Sequence, residues 1–242
     1  MQQEPVLGII GGLGPMATAY FLELTVKMTQ AERDQDHLEA ILFEHPSIPD
    51  RTAHILDARN PSPLPALAGC AKKLESLGCS TIAIPCITSH CFFGELQKAV
   101  SIPLLNIVRE TARHLKENGV SAAGVMATTG TVRTGLFQEA LAEEGIDCVL
   151  PDERRQELVM HVIYDDVKAG RPVERDAFGE AAAHLRQKGA QCLILGCTEL
   201  SLANRAEPLG PGCLDALEVL ARAALLFCGK PVRPEYGCLI TR

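Results

Sequence analysis

Short unbroken apolar runs recur along the chain, and each is followed by a turn or loop and then by a segment of helical spacing. Pro5-Val-Leu-Gly-Ile-Ile10 reads as a strand buried on both faces, and Gly11-Gly-Leu-Gly-Pro15 as the turn that ends it. Apolar residues at Ala19, Leu22, Val26 and Ala31 predict a helix over 16–33, with Pro15 suited to its first turn. A second strand over 39–44 leads into a proline-broken loop, His45 to Thr52, and the prolines around 60–65 forbid regular structure. A helix over 66–77 precedes the strand that ends at Cys86. Beyond it the pattern predicts a short helix to Val100, a strand over 102–107 and a helix to about Glu117, closed by Gly119. The order then restarts. A strand over 121–127, a Thr128–Thr131 turn, a helix over 135–144 and a strand over 147–150 follow. Next come helices over 153–168 and 175–187, a strand ending at Cys197, and a last helix over 214–227.

The restart is also an echo in detail. Leu74, Gly78, Ile82, Ile84 and Cys86 recur as Leu185, Gly189, Leu193, Leu195 and Cys197, each 111 positions later. In both copies a helical segment ends at Gly, an apolar strand follows, and a thiol stands where the strand runs out. Buried-type strands alternating with helices specify an α/β protein with parallel sheets covered on both faces. The repeat makes it two similar halves, expected as 1–117 plus 209–242 and as 118–208. Loops at the carboxyl ends of parallel strands carry ligands. Cys86, Cys197, the Gly11–Gly14 turn, the Asp50–Arg51 loop and the Thr128–Thr131 turn are all such loops. Halves facing one another across a pseudo-twofold axis would bring both thiols to one cleft.

Composition narrows the partners. With 242 residues, 47% of them apolar and 22% charged, the chain is long enough for one large or two small cored domains. A net charge of −7 and a pI near 5.5, with no Lys/Arg cluster, argue against nucleic acid. No apolar stretch approaches membrane-spanning length, and Met1-Gln-Gln-Glu-Pro5 lacks the features of a signal peptide, so a cytoplasmic protein is expected. The ten cysteines include no C-x-x-C pair and no zinc spacing, and no metal site is expected. Most read as small buried hydrophobes.

Two thiols at equivalent strand ends suit removal of a proton from one face of a carbon and its return to the other. One must be a thiolate and the other a thiol, and a helix N-terminus can lower a thiol's pKa. The residues after each cysteine, Thr88-Ser89 and Thr198-Glu199, offer hydroxyls and backbone N–H groups to a substrate carboxylate.

Pro85-Cys-Ile-Thr-Ser-His90 resembles the Cys-Asn-Thr-x-His motif, and Gly196-Cys-Thr-Glu199 the Gly-Cys-Thr-Glu motif, of the cofactor-independent aspartate/glutamate racemases. The resemblance extends to Gly11-Gly-Leu-Gly-Pro-Met-Ala-Thr18, Pro49-Asp-Arg-Thr52, Ala127-Thr-Thr-Gly-Thr131 and Tyr164…Lys168-x-Gly170, and so covers nearly the whole chain. It implies two flavodoxin-like α/β halves with pseudo-twofold symmetry, usually as a homodimer, and an active site in the cleft between them. It further implies a two-base mechanism with Cys86 and Cys197, and no cofactor. Arg51 and Lys168 are then expected to bind substrate carboxylates, with Leu13, Thr52, Ile87, Thr88, Ser89, Thr128, Thr131 and Thr198 around them. Gly11-Gly12 and Glu199 place the chain with the aspartate racemases, since the cell-wall glutamate racemases carry Asp-Ser and His at these points. One departure concerns the substrate. Ile87 stands where the family has Asn, so an amide donor and acceptor is missing from the expected pocket.

Plainer readings compete. Cys86 and Cys197 are also what core cysteines at the ends of buried strands look like. Arg51 could form a surface ion pair, Lys168 could favour a helix C-terminus, and Glu199 could cap a helix or assist Cys197. His90 reads as a structural hydrogen-bonder, and His37, His45, His54, His114, His161 and His184 as incidental. Gly12-Leu-Gly-Pro-Met-Ala17 matches the G-x-G-x-x-A dinucleotide pattern, but Pro15 would occupy the phosphate-binding helix start and no clean acidic terminus ends the second strand. A related two-cysteine isomerase, of the maleate isomerase or hydantoin racemase type, and a catalytically weak carboxylate-binding homologue remain as alternatives.

Overall fold

The computed structural model describes residues 4–242; residues 1–3, the start of the signal-peptide argument and of the expected first domain, lie outside the described residues. The chain divides into two units, Met1–Ile107 with Leu217–Cys238, and Val108–Ala216 with Leu239–Arg242.

In the first unit β1 (Leu7–Gly11) is followed by α1 (Pro15–Met28), β2 (Ala40–Glu44), α2 (Arg51–Leu56), α3 (Leu64–Ser76), β3 (Thr81–Ala83) and α4 (Phe93–Ala99). All five residues of β1 are buried, as its unbroken apolar run predicts. It lies between its two parallel neighbours in the order β2-β1-β3, with Leu7 opposite Ala40 on one side and Thr81 on the other. Leu67, Cys70, Ala71 and Leu74 of α3 pack with Ile10, Ile82 and Ile84 into one core. Each large aliphatic side chain so buried contributes about 1.5–3 kcal/mol.

α5 (Ile107–Glu117) leads into the second unit. There β4 (Ala122–Ala127), α6 (Thr129–Arg133), α7 (Leu136–Glu143), β5 (Asp147–Val149), α8 (Glu153–His161), α9 (Arg175–Gln187), β6 (Cys192–Gly196), α10 (Thr198–Ala206) and β7 (Cys213–Asp215) follow in turn. The sheet is parallel, in the order β5-β4-β6-β7, with Leu193 of β6 opposite Gly124 and Cys213. Its core joins Leu193, Leu195 and Leu200 to Phe178, Ala181 and Leu185 of α9. α11 (Ala216–Phe227) returns the chain to the first unit. The two sheets share one wiring. β3 stands beside β1 as β6 stands beside β4, so the two echoed strands are equivalent by topology as well as by sequence.

Several expectations change in detail. The unit boundaries fall at 107/108, 216/217 and 238/239, so residues 108–117, 209–216 and 239–242, expected in the first half, belong to the second. The first residues of the predicted final helix are instead the strand β7, because the ladder position beside β6 takes Cys213–Asp215. α1 stops at Met28 rather than near 33. There the segment 231–233 supplies partners for the chain, through Gln30 N–H to Pro231 O (2.9 Å) and Arg233 N–H to Met28 O (2.8 Å). Over 102–107 only a single parallel bridge, Ile82 to Leu104, replaces the expected strand. Pro103 there has no N–H to extend a ladder. The loop at 45–52 is shorter than expected, since Asp50 accepts a hydrogen bond from Ala53 N–H (2.8 Å) and starts α2 at Arg51. The predicted helix over 153–168 is α8 followed by a π-helical turn, Val162–Val167.

Candidate functional site

In each unit the thiol occupies the loop at the carboxyl end of the strand beside the central one, where strand order reverses. Parallel sheets bind ligands at such switch points. In the first unit the glycine turn after β1 lies alongside. Gly12 has φ +89°, and a Cβ there would meet His45 C and Pro46 N at 2.6 Å, so only glycine lets the two loops approach. Thr18 closes the turn, accepting from Gly12 N–H and donating to Gly14 O, both at 3.0 Å. Arg51 is 7% exposed. Its guanidinium donates to the carbonyls of Ile48 (3.5 Å), Pro49 (3.2 Å) and Leu13 (3.1 Å), which fastens the loop after β2 to the loop after β1. Leu13 therefore contributes through its backbone oxygen, while its side chain sits in the core. Thr52 is buried beside Arg51.

Cys86, 5% exposed, has extended backbone and precedes a short 3-10 helix, Ile87–Phe92. Ser89 N–H returns to Cys86 O (3.2 Å), and the same carbonyl faces His90 Nδ1 at 3.0 Å. Nε2 of that ring lies 3.5 Å from Ile107 N–H and 3.3 Å from Leu105 O. Burial pushes His90 below the ordinary imidazole range, and the ring stacks on Phe93. A neutral, fully packed imidazole bonded to backbone braces the loop, as expected of it. Ile87 and Thr88 are buried next to the thiol, and Ser89 is wholly enclosed, with no exposed surface. Nearby Cys91 is pushed up to about 12, mainly by burial and then by its electrostatic interaction with Cys86 and Glu95, so it stays a thiol.

The second unit holds a denser polar group. Cys197, 6% exposed, immediately precedes α10. Its Sγ donates to Glu199 Oε2 at 2.9 Å, and Thr198 Oγ1 donates to the same oxygen at 3.3 Å. The other carboxylate oxygen, Oε1, pairs with Lys168 Nζ at 3.0 Å. Lys168 Nζ also stands 5.3 Å from the centre of the Tyr164 ring. Thr128 accepts from Thr131 N–H (3.2 Å), and the two hydroxyls are 3.1 Å apart at the start of α6.

Position at a helix start is expected to lower a thiol's pKa, yet Cys197 is raised well above the ordinary thiol value. Burial is the largest cause, followed by the charge of Glu199 and its hydrogen bond, with Lys168 opposing. In this state Cys197 is a protonated thiol aimed at a carboxylate. The oxygen atoms of Glu199 thus take Cys197, Thr198 and Lys168.

Lys168, Thr198, Glu199 and Cys197 are brought into one cluster, and Arg51 with Leu13 into another; Thr128 and Thr131 pair with each other. Sequence reasoning passed over His161, whose nitrogens contact Asp165 (3.0 Å), Glu174 (3.0 Å) and Asp166 (3.5 Å). The i, i+4 spacing of His161 and Asp165 was the available signal. It also passed over His45, whose Nδ1 lies 3.3 Å from Cys70 Sγ.

Comparison with known proteins gives this arrangement a context. The family described as Asp/Glu/Hydantoin racemase matches residues 10–224. The aspartate racemase of Picrophilus torridus is 32% identical, superposes with a TM-score of 0.80, and is matched over 96% of this chain and 97% of that one. The broad specificity amino-acid racemase RacX of Bacillus subtilis (strain 168) is 26% identical over 202 residues, 81% of this chain and 86% of the relative. An aspartate racemase homologue from Pyrococcus horikoshii OT3, 22% identical, shares the fold with a TM-score of 0.74 over 94% of this chain and all of that one.

Proposed function

Because the chain belongs to the Asp/Glu/hydantoin racemase family and is an isomerase of the racemase type, we propose that it racemises a free amino acid, aspartate first, with Cys86 and Cys197 as its two acid/base groups. The observation that carries this reading is the Cys197–Glu199–Lys168 chain of contacts, at 2.9 and 3.0 Å, set at the strand end equivalent to that of Cys86. Glu199 Oε2 takes the proton of Cys197, the S–H bond breaking as an O–H bond forms. The resulting thiolate removes the alpha proton, leaving a planar carbanion whose charge spreads into the substrate carboxylate. The Cys86 thiol then delivers its proton to the opposite face, and the roles reverse for the other enantiomer. The mechanism requires both thiols to reach one alpha carbon. Arg51 and Lys168 supply positive charge for the substrate carboxylates, and no step draws on a cofactor.

A second substrate reading has its own support. Ile87, 2% exposed beside the first thiol, offers neither donor nor acceptor where the resemblance expects an amide. Losing one partner for a buried polar group costs about 1–3 kcal/mol, so discrimination in favour of aspartate weakens by that amount. The broad specificity of the Bacillus subtilis relative fits the same direction. We further place the protein in the cytoplasm as a homodimer. Ten free cysteines support a reducing compartment, and Met16, Val26 and Leu42, exposed on the first unit, are apolar surface for a second copy. Among the described residues no helix is long and apolar enough to cross a membrane.

The test is hydrogen exchange in D2O, following the alpha proton of each enantiomer of aspartate, glutamate and a neutral amino acid by NMR. The wild type should exchange and racemise at least one pair. Cys86→Ser and Cys197→Ser should each abolish racemisation, with one-sided exchange persisting for opposite enantiomers. No exchange above background with any substrate, or identical loss for both enantiomers in both variants, rules out the two-thiol reading.

A further inference from the structure

Lys168 does not sit on a helix. It follows the π-helical turn Val162–Val167, its N–H bonding Ile163 O (3.0 Å). Such turns are rare and concentrate at functional sites. A knot of hydrogen bonds and ion pairs ties this turn. Asp166, nearly buried, accepts from Glu174 N–H (2.8 Å) through Oδ2, while its backbone oxygen takes Arg171 N–H (2.8 Å). Three residues thereby fold the segment 166–174 back on itself. His161, the last residue of α8, meets all three acidic groups of the knot: Asp165 at Nδ1, and Glu174 and Asp166 at Nε2.

We propose that His161 is a positioning residue which, through Asp165, Asp166 and Glu174, holds the turn so that Lys168 reaches Glu199 and thereby sets how readily Cys197 ionises. The inference rests on the reading of Cys197 as an acid/base group, but its test does not require racemisation. The imidazolium form can donate from both nitrogens at once, to Asp165 and to Glu174; the neutral ring donates from one only. The charged groups around the ring are these three carboxylates, Glu153 and Glu157 on its own helix, and Arg133 of α6 across a cavity of about 400 Å³ that His161 and Tyr164 also line. The surroundings are therefore predominantly acidic. His161 is 39% exposed and Glu174 59% exposed in their side chains, so each can be replaced without opening the core.

The measurement is the pH midpoint of Cys197 alkylation by iodoacetamide, read by peptide mass spectrometry on the whole protein, with the Cys86 peptide as internal reference. His161→Ala should raise the Cys197 midpoint by about half a pH unit, a threefold change that matches the scale of a half-exposed ion pair. His161→Lys, which keeps a hydrogen-bond donor among the three carboxylates, should return it toward the wild-type value. Glu174→Gln should shift it in the same direction as His161→Ala, and it decides the matter alone if His161→Ala fails to fold. Lys168→Met should give the largest shift. Midpoints unchanged in His161→Ala and Glu174→Gln, or in Lys168→Met, would overturn the proposal. A protein that fails to racemise any amino acid while its midpoints move as stated would instead count against the functional reading alone.

Discussion

Replacing Glu199 by Gln should have opposite effects on the reactivity of Cys197 and on turnover. The carboxylate accepts the thiol proton at 2.9 Å and is itself almost fully buried, so water screens the pair little. A thiolate beside this carboxylate would face a unit charge at roughly 4 Å, worth about 4 kcal/mol at an effective dielectric of 20. Each pKa unit corresponds to about 1.4 kcal/mol, which sets an upper limit of about three units. Part of this is lost to relaxation, and Lys168 Nζ, now without the Glu199 charge at 3.0 Å, adds a pull of the same sign. The alkylation midpoint of Cys197 should fall by about 1–2 units, well outside the error of a pH series. Racemisation should fall about 100-fold or more, because the group that receives the thiol proton is gone. Thiol reactivity rising while kcat/KM falls is a signature that a merely destabilised variant does not produce. If the midpoint stays put or rises, or if turnover increases with reactivity, Glu199 is not the proton acceptor for Cys197.

Two further outcomes are expected. Gly196→Ala adds a methyl group 2.8 Å from Phe137 Cε2 and 3.0 Å from Met126 O, just before Cys197, and should cost about 1–3 kcal/mol by overpacking, read as a lowered Tm. Stability should also decline on the alkaline side. Burial raises Cys91 to about 12 and Cys148 and Cys228 to about 11, from an ordinary 9.0. Below pH 9 all three are protonated, folded or unfolded, and their contribution is intact. Above it the unfolded chain releases protons that the folded chain keeps, so stability falls until the folded thiols also ionise. Urea midpoints measured in steps from pH 7 to pH 11 should drop beyond pH 9; a flat profile there would refute the assignment of these thiols as at least half-buried and neutral.

The amino-acid sequence by itself determined the fold class, the two-half repeat and the placing of the two thiols at strand ends. Unbroken apolar runs such as 6–10 and 192–195 demand burial on both faces, which only a covered parallel sheet provides, and the 111-residue echo puts Cys86 and Cys197 at matching strand ends. Those signals are local, carried by residues within one element or by a register that needs no contact map. The remainder depended on which residues far apart in the chain meet. Glu199 was legible as a helix-start carboxylate, but its choice of Cys197 and Lys168 follows from α10 and the turn after α8 being folded together. Arg51 read as a loop cation, yet three carbonyls from the loops after β1 and β2 hold it. Residues 214 and 215 look helical with the segment that follows and become strand because β6 leaves a ladder position beside it. His161 looked incidental because its partners, 165, 166 and 174, converge only once the π-helical turn reverses the chain. Periodicity records how much of an element is buried; it does not record which neighbour buries it, and that was decided by the tertiary structure.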